Sequence, residues 1–149
     1  MSVSLSIMLR MLAVFGVFGL TLGSVGAARA ASVTGGATFT DPPAYRTIEV
    51  SAKSGPSGIL RVGLAAGGFW FAEVTDVQVA PDGHTGSVTA RITRTSADQS
   101  GLPYEELFLR VTDKGPSGDE VLLEVKFLGI WIELPGASIV DRGNFNVTP

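Results

Sequence analysis

Three acidic residues lie close together around a Gly-Pro-Ser-Gly turn. Asp113, Asp119 and Glu120 flank this turn, and carboxylate oxygens are the ligands that Ca²⁺ takes in sets of about six to eight. Their spacing is not that of an EF-hand loop, and Lys114 adds a competing positive charge. Two interpretations follow, a calcium site or a set of solvated acids on a hairpin.

Residues suited to catalysis are sparse. His84 is the single histidine, and the absence of cysteine excludes thiol chemistry and cysteine-ligated metals. Glu105 and Glu106 are adjacent, so on a strand they point to opposite faces and do not form the facing carboxylate pair of a glycosidase. We therefore predict that the protein is not an enzyme and needs no cofactor beyond the calcium considered above.

Aromatic residues concentrate in two short runs, at positions 69–71 and 130–132. Strand alternation places Trp70 on the opposite face from its two phenylalanine neighbours, so apolar groups lie on both sides of the predicted sheet. Either ordinary packing covers Trp70 and Trp131, or these two side chains form a ligand-binding surface. Tyr104 is a further candidate for that surface.

The first 30 residues have the pattern of an export signal. Arg10 supplies a positive charge, and Met11–Leu22 is apolar but shorter than the roughly 20 residues that span a bilayer. Ala28-Arg29-Ala30 matches the small-x-small pattern at which signal peptidases cut. We predict cleavage before Ala31, a secreted, periplasmic or cell-surface location, and no membrane span after cleavage.

Residues 31–149 are predicted to form a single domain. Removing the signal takes away two of the 11 basic residues and none of the 14 acidic ones, which leaves a net charge of −5. An acidic domain without a cluster of lysine or arginine is unsuited to nucleic acid. The expected partner is therefore an extracellular ligand or a component of the cell envelope. With no disulfide to stabilise it, this domain must be held together by its core.

Glycine and proline divide the domain into short runs of alternating apolar and polar residues, which are typical of strands. The predicted strands are Tyr45–Lys53, Ile59–Leu64, Phe69–Ala80 with a bulge near Glu73–Thr75, Ser87–Arg94, Tyr104–Thr112, Glu120–Leu128, Ile130–Leu134, Ser138–Val140 and Asn144–Val147. This pattern predicts an all-β fold, a single antiparallel β-barrel of about eight to ten short strands, with a two-sheet β-sandwich as the alternative.

Two further expectations concern the packing of these strands. The segment near Phe39 should pair with the segment near Phe145, because closure would leave neither as a free edge. Leu109 and Leu123 should face the core, since each is central in a strongly alternating run. The one long irregular stretch, Thr95–Pro103, is predicted to be a loop.

Several short motifs resemble those of a family of small exported bacterial β-domains, found alone or appended to larger surface proteins. The motifs are Gly35–Thr40, Glu73–Val79, Asp82–Thr89, Arg110–Asp119 and Gly143–Val147. Typical members have a GG-x-F start, a V-T-C-x-x-V strand, a V-x-D-N-G-x-P-G hairpin and a G-N-F-x-V end. This chain has Asp76 in place of the cysteine and Lys114 in place of the asparagine. The resemblance implies an exported β-domain, and the family has no established activity.

Together these patterns predict an exported, non-enzymatic domain that binds a ligand or serves as a structural module of the envelope or extracellular space. One alternative is a carrier of an apolar small molecule, which would need a cavity inside the barrel. Another is a hydrolase that acts on an extracellular polymer, which would need converging polar side chains.

Overall fold

The computed structural model describes residues 30–40, 44–135 and 139–149. The predicted signal peptide, apart from Ala30, lies outside this part of the chain, and so does Ser138. Nine strands and no α-helix are found in the described ranges. The strands are β1 (Ser32–Thr38), β2 (Tyr45–Lys53), β3 (Ser57–Leu64), β4 (Phe69–Val79), β5 (Thr85–Thr95), β6 (Tyr104–Thr112), β7 (Glu120–Phe127), β8 (Ile130–Glu133) and β9 (Arg142–Thr148).

All nine strands belong to one antiparallel sheet, with the order β8-β7-β6-β5-β4-β3-β2-β1-β9. Consecutive strands pair from β1 to β8, and β9 returns to pair with the outer side of β1. The sheet curls strongly into a half-barrel. The all-β fold and the number of strands are thus confirmed, and the described strands form one sheet where a sandwich would require two.

The concave face of the curled sheet carries the core. Leu109 and Leu123 are fully buried and lie directly opposite each other on β6 and β7, which confirms their inward orientation. The largest fully buried side chains are Tyr45, Phe39, Phe145, Ile48, Leu60, Leu107, Leu109, Leu123, Val33, Val62, Val88 and Val111. They come from strands along most of the sheet, so the curl brings distant segments into one apolar cluster.

A β-bulge in β4 explains the change of phase predicted near Glu73–Thr75. Val74 pairs with Ala90, whereas the next pair joins Asp76 to Thr89, so Thr75 is the extra residue. Val74 and Val77 are consequently both buried although they are three positions apart. The bulge allows one long strand to keep its apolar residues on the concave face along its whole length.

The two ends of the domain pair as expected. β1 and β9 run antiparallel from the Thr38–Arg142 pair to the Ser32–Thr148 pair, and Phe39 lies one residue beyond the end of β1. Gly35 and Gly143 have positive φ angles, and a Cβ atom on either would clash with the backbone of the opposite strand. Two of the motif glycines are therefore required for this close pairing.

The fold is barrel-like as predicted, but among the described residues no pairing joins β8 to β9, so the sheet is a half-barrel and the expected closure is not seen there. β8 and β9 lie at opposite ends of the strand order, so each is an edge. Burial raises the pKa of Tyr45 on β2, and the negative charge of Glu133 on β8 raises it further.

The carboxylate of Asp119 links the β6–β7 hairpin to the edge strand β9. Asp119 is 3% exposed, and its Oδ2 accepts the backbone N–H of Phe145 at 2.6 Å while its Oδ1 accepts that of Lys114 at 3.1 Å. Its backbone carbonyl accepts the N–H of Val140 at 2.9 Å. One acidic residue thus supplies the acceptor that a neighbouring strand would otherwise offer to β9.

Candidate functional site

The three acids of the predicted calcium site have separate partners. Asp119 is buried in the link to β9, whereas the Oδ1 of Asp113 accepts the N–H of Gly115 at 3.0 Å. Glu120 forms an exposed ion pair with Lys114. Within residues 30–40, 44–135 and 139–149, no group of three or more histidines or acids is placed to hold a metal ion. The side-chain positions therefore lend the calcium interpretation no support.

Trp70 lies in the core, so it does not belong to a surface site. Its side chain is 3% exposed, and its ring packs 4.8 Å from that of Tyr104, measured between centroids. Tyr104 in turn packs 5.2 Å from Phe127. Because β4 presents Trp70 to the concave face, the candidate residues Trp70 and Tyr104 pack with Phe127 as an aromatic column inside the half-barrel. Tyr104 is half-buried there.

Trp131 lies on the convex outer face, at the edge of the sheet. It is 41% exposed, its ring centroid is 6.4 Å from that of Phe108, and the Nζ of Lys126 is 5.9 Å from the ring centroid. Lys126 also contacts Glu106 at 3.0 Å, and the hydrogen bond that its ammonium donates to this carboxylate raises the pKa of the ammonium. The two tryptophans therefore belong to different surfaces and do not form one site.

The edge strand β8 is the most exposed apolar element of the described chain. Ile130, Trp131 and Ile132 are 67%, 41% and 44% exposed, and Leu128 in the preceding turn is 67% exposed. Soluble proteins commonly protect sheet edges with charges, prolines or covering loops. Here the strand has one charged residue, Glu133, and pairs in the described structure only with β7.

The turn that leads into β8 places an apolar residue in an unfavourable conformation. Leu128 has a φ of 50° and Gly129 a φ of 78°, as a two-residue hairpin loop requires. Asparagine or glycine is preferred at the first of these positions, because a branched side chain is strained there. The carboxylate of Glu105 helps to hold the turn by accepting the N–H of Gly129 at 2.9 Å.

Negative charge surrounds the β8 edge. Glu133 lies directly opposite Glu124 on β7, and like charges in opposite positions of a sheet repel. Glu105 lies beneath the adjacent turn. The neighbouring cation Lys126 is already paired with Glu106. The exposed apolar edge thus has an acidic border.

The residues considered for catalysis form hydrogen bonds with neighbouring residues of the fold. The backbone N–H of His84 donates to Asp82, and this bond, with a second from the N–H of Thr85, holds the pKa of Asp82 below its usual value. His84 therefore belongs to the turn between β4 and β5, as predicted. Glu105 and Glu106 point away from each other, one to the β7–β8 turn and one to Lys126.

Two features of the molecule are absent from the sequence predictions: the inward position of Asp119 and the edge position of β8. The inward position of Asp119 has a signal in the sequence, because it lies two residues before Val121 and so shares its face. The edge position of β8 has no local signal, since Ile130–Leu134 reads like any other apolar strand. Only its place in the sheet order reveals the unpaired side.

Comparisons with protein-family models, with curated proteins and with solved structures find no match to this chain. In the described residues, no helix has the length and apolar character needed to cross a membrane.

Proposed function

We propose that the chain is exported and that its domain binds an extended segment of a partner protein, which adds to the sheet as a further strand beside β8. The observation that carries this proposal is the unprotected apolar edge of β8. In strand addition, main-chain hydrogen bonds supply affinity and alternate side chains supply specificity. The acidic border of the edge supplies a preference for basic partners.

The hydrogen-bonding pattern of β8 identifies the groups that a partner would engage. Leu134, just beyond β8, donates its N–H to the carbonyl of Leu123 at 2.9 Å. Such bonds alternate along an antiparallel strand. The N–H of Ile132 therefore also points towards β7, whereas the N–H groups of Trp131 and Glu133 point outwards. An added strand would therefore pair through the backbone of these two residues.

The two faces of β8 specify the side chains of the partner. Ile132 lies opposite the buried Val125 and shares its concave face, so an adjacent partner residue should be apolar. Trp131 and Glu133 lie on the other face, where a lysine or arginine would relieve the repulsion between Glu133 and Glu124. The preferred segment thus alternates apolar and basic residues.

The packing of the concave face favours a binding module over a carrier. Twelve large side chains are fully buried there, among them Phe39, Tyr45 and Phe145. Bulky residues of this kind fill a small barrel, whereas a carrier needs interior space. The separate partners of Glu105, Glu106 and His84 likewise favour binding over hydrolysis.

Replacing Glu133 by proline should abolish strand addition while preserving the fold. Proline removes the outward N–H, and a sheet edge tolerates it because no internal hydrogen bond is lost. The probes are nine-residue peptides in which valine alternates with lysine, or with glutamate as the control. Calorimetry should show saturable binding of the lysine peptide, weakened by about tenfold or more in Glu133→Pro.

Glu133→Gln is the matched control, since it keeps the N–H and removes the charge. It should still bind peptide, but with a weaker preference for lysine over glutamate, because Glu124 and Glu105 remain. Undiminished affinity in Glu133→Pro, or no saturable binding of either peptide to the original protein, would contradict strand addition at β8. Circular dichroism of both variants checks that the fold is retained.

Export predicts a shorter mature chain. The apolar run Met11–Leu22 and the Ala28-Arg29-Ala30 pattern support cleavage before Ala31. Intact-mass measurement of the protein from culture medium or periplasm should show the loss of residues 1–30. Full-length chain retained in the membrane fraction would contradict this part of the proposal.

A further inference from the structure

A row of charged and aromatic side chains crosses four strands on the convex face, away from β8. Arg61 on β3 lies between Glu49 on β2 and Phe71 on β4, and Phe71 is followed by Arg94 on β5. Together with Phe69 and Ile59, these residues line an open groove of about 280 Å³. A groove of this volume is close to the lower limit of small-molecule sites.

The phenylalanine rings hold the two guanidinium groups over the groove. The Cζ of Arg94 lies 4.3 Å from the centroid of the Phe71 ring, and that of Arg61 lies 5.7 Å from the centroid of Phe69. Stacking of this kind is favourable and restricts the orientation of a planar guanidinium. The donors on the edges of the guanidinium groups are therefore partly preorganised for a ligand.

The charges in the groove are only partly compensated. Arg61 contacts Glu49 at 3.9 Å, and both side chains are more than half exposed, so the pair is weak. Arg94 forms no salt bridge with any residue in the described ranges. The groove thus carries excess positive charge on a chain whose formal net charge is −3.

We propose that this groove binds a small ligand in which a carboxylate is attached to a six-membered ring with an apolar face. The carboxylate would accept hydrogen bonds from the Arg94 guanidinium, a planar fork that suits bidentate binding. The ring would pack on Ile59, which is 42% exposed, and on the rim formed by Phe69. Aromatic acids and the uronic acid residues of polysaccharides both have this chemistry. The site is independent of strand addition at β8.

Three single substitutions on the purified protein test the site. Arg94→Gln removes the free guanidinium, whereas Arg91→Gln removes an equal charge from the exposed part of the same strand, outside the groove. Glu49→Gln removes the carboxylate that competes for Arg61. The probes are 4-hydroxybenzoate and a galacturonate disaccharide, with 4-hydroxybenzamide and a neutral disaccharide as uncharged controls. Binding is followed by NMR shifts of the arginine side chains.

Saturable binding of at least one acid is expected, with the groove arginines shifting most. Affinity should fall about tenfold or more in Arg94→Gln, change less than about twofold in Arg91→Gln, and rise in Glu49→Gln. The acid that binds identifies the source of the ligand. No saturable shift with either acid, equal binding of the uncharged controls, or equal losses in the two arginine variants would overturn the proposal.

Discussion

Replacing Asp119 by alanine is expected to lower the free energy of unfolding by about 3 kcal/mol, as estimated for two hydrogen bonds to a charged acceptor with some recovery of desolvation. The change removes the acceptor for the N–H of Phe145, a fully buried residue, and for that of Lys114. A buried N–H without a partner is costly. The edge strand β9 should therefore detach from the β6–β7 hairpin before the rest of the sheet unfolds.

Asparagine at position 119 separates hydrogen bonding from side-chain size. Its single oxygen can replace one carboxylate oxygen, but its amide group would face the second N–H, donor against donor. Asp119→Asn should thus lose a large part of the stability lost in the alanine variant. Asp113→Ala is the matched control on the same hairpin, because its bond to Gly115 is exposed.

Urea denaturation of the three variants provides the free energies. Hydrogen exchange should also show faster exchange of the Phe145 amide in Asp119→Ala than in Asp113→Ala. If Asp119→Ala were as stable as Asp113→Ala, the carboxylate would not hold β9 in place.

Replacing Leu109 or Leu123 by alanine should cost about 2–5 kcal/mol of unfolding free energy, the usual range for truncating a buried leucine. Both side chains are fully buried and lie opposite each other on β6 and β7. Each truncation would leave a cavity in the middle of the core, where the surrounding strands are too constrained to collapse fully.

Leu122→Ala is the control for the leucine variants, because Leu122 is adjacent in sequence but lies on the other face of β7 and is only half-buried. It should cost less than either core variant. The double variant should cost less than the sum of the single losses, since both truncations open the same cavity. Denaturation midpoints that fall equally for Leu122 and Leu123 would contradict the assignment of faces.

Sequence alone determined those features that depend on neighbouring residues. Period-two alternation is a local property of a strand, so it placed Leu109 and Leu123 inwards and predicted a bulge near Glu73–Thr75. Glycine and proline marked the turns, because they meet the backbone requirements of tight reversals. The all-β fold with about eight to ten strands follows from these two signals.

The tertiary structure decided which strands became edges and which side chains met across them. Glu49, Arg61, Phe71 and Arg94 form one row only because four strands pair in a particular register. Trp70 entered the core rather than a surface because the curl of the whole sheet made its face concave. Register and curl arise from contacts between residues far apart in the chain, and a local pattern contains no information about them.

The same physical reason explains why the role of Asp119 could not be predicted from the sequence. Its place on the inner face was implied by its spacing from Val121, but the partner of its carboxylate was not, because Phe145 is 26 residues away. The sheet had to curl before the hairpin and β9 came within hydrogen-bonding distance. A residue that reads as an acid beside a turn therefore acts as the acceptor for an edge strand, and only the folded chain brings the two together.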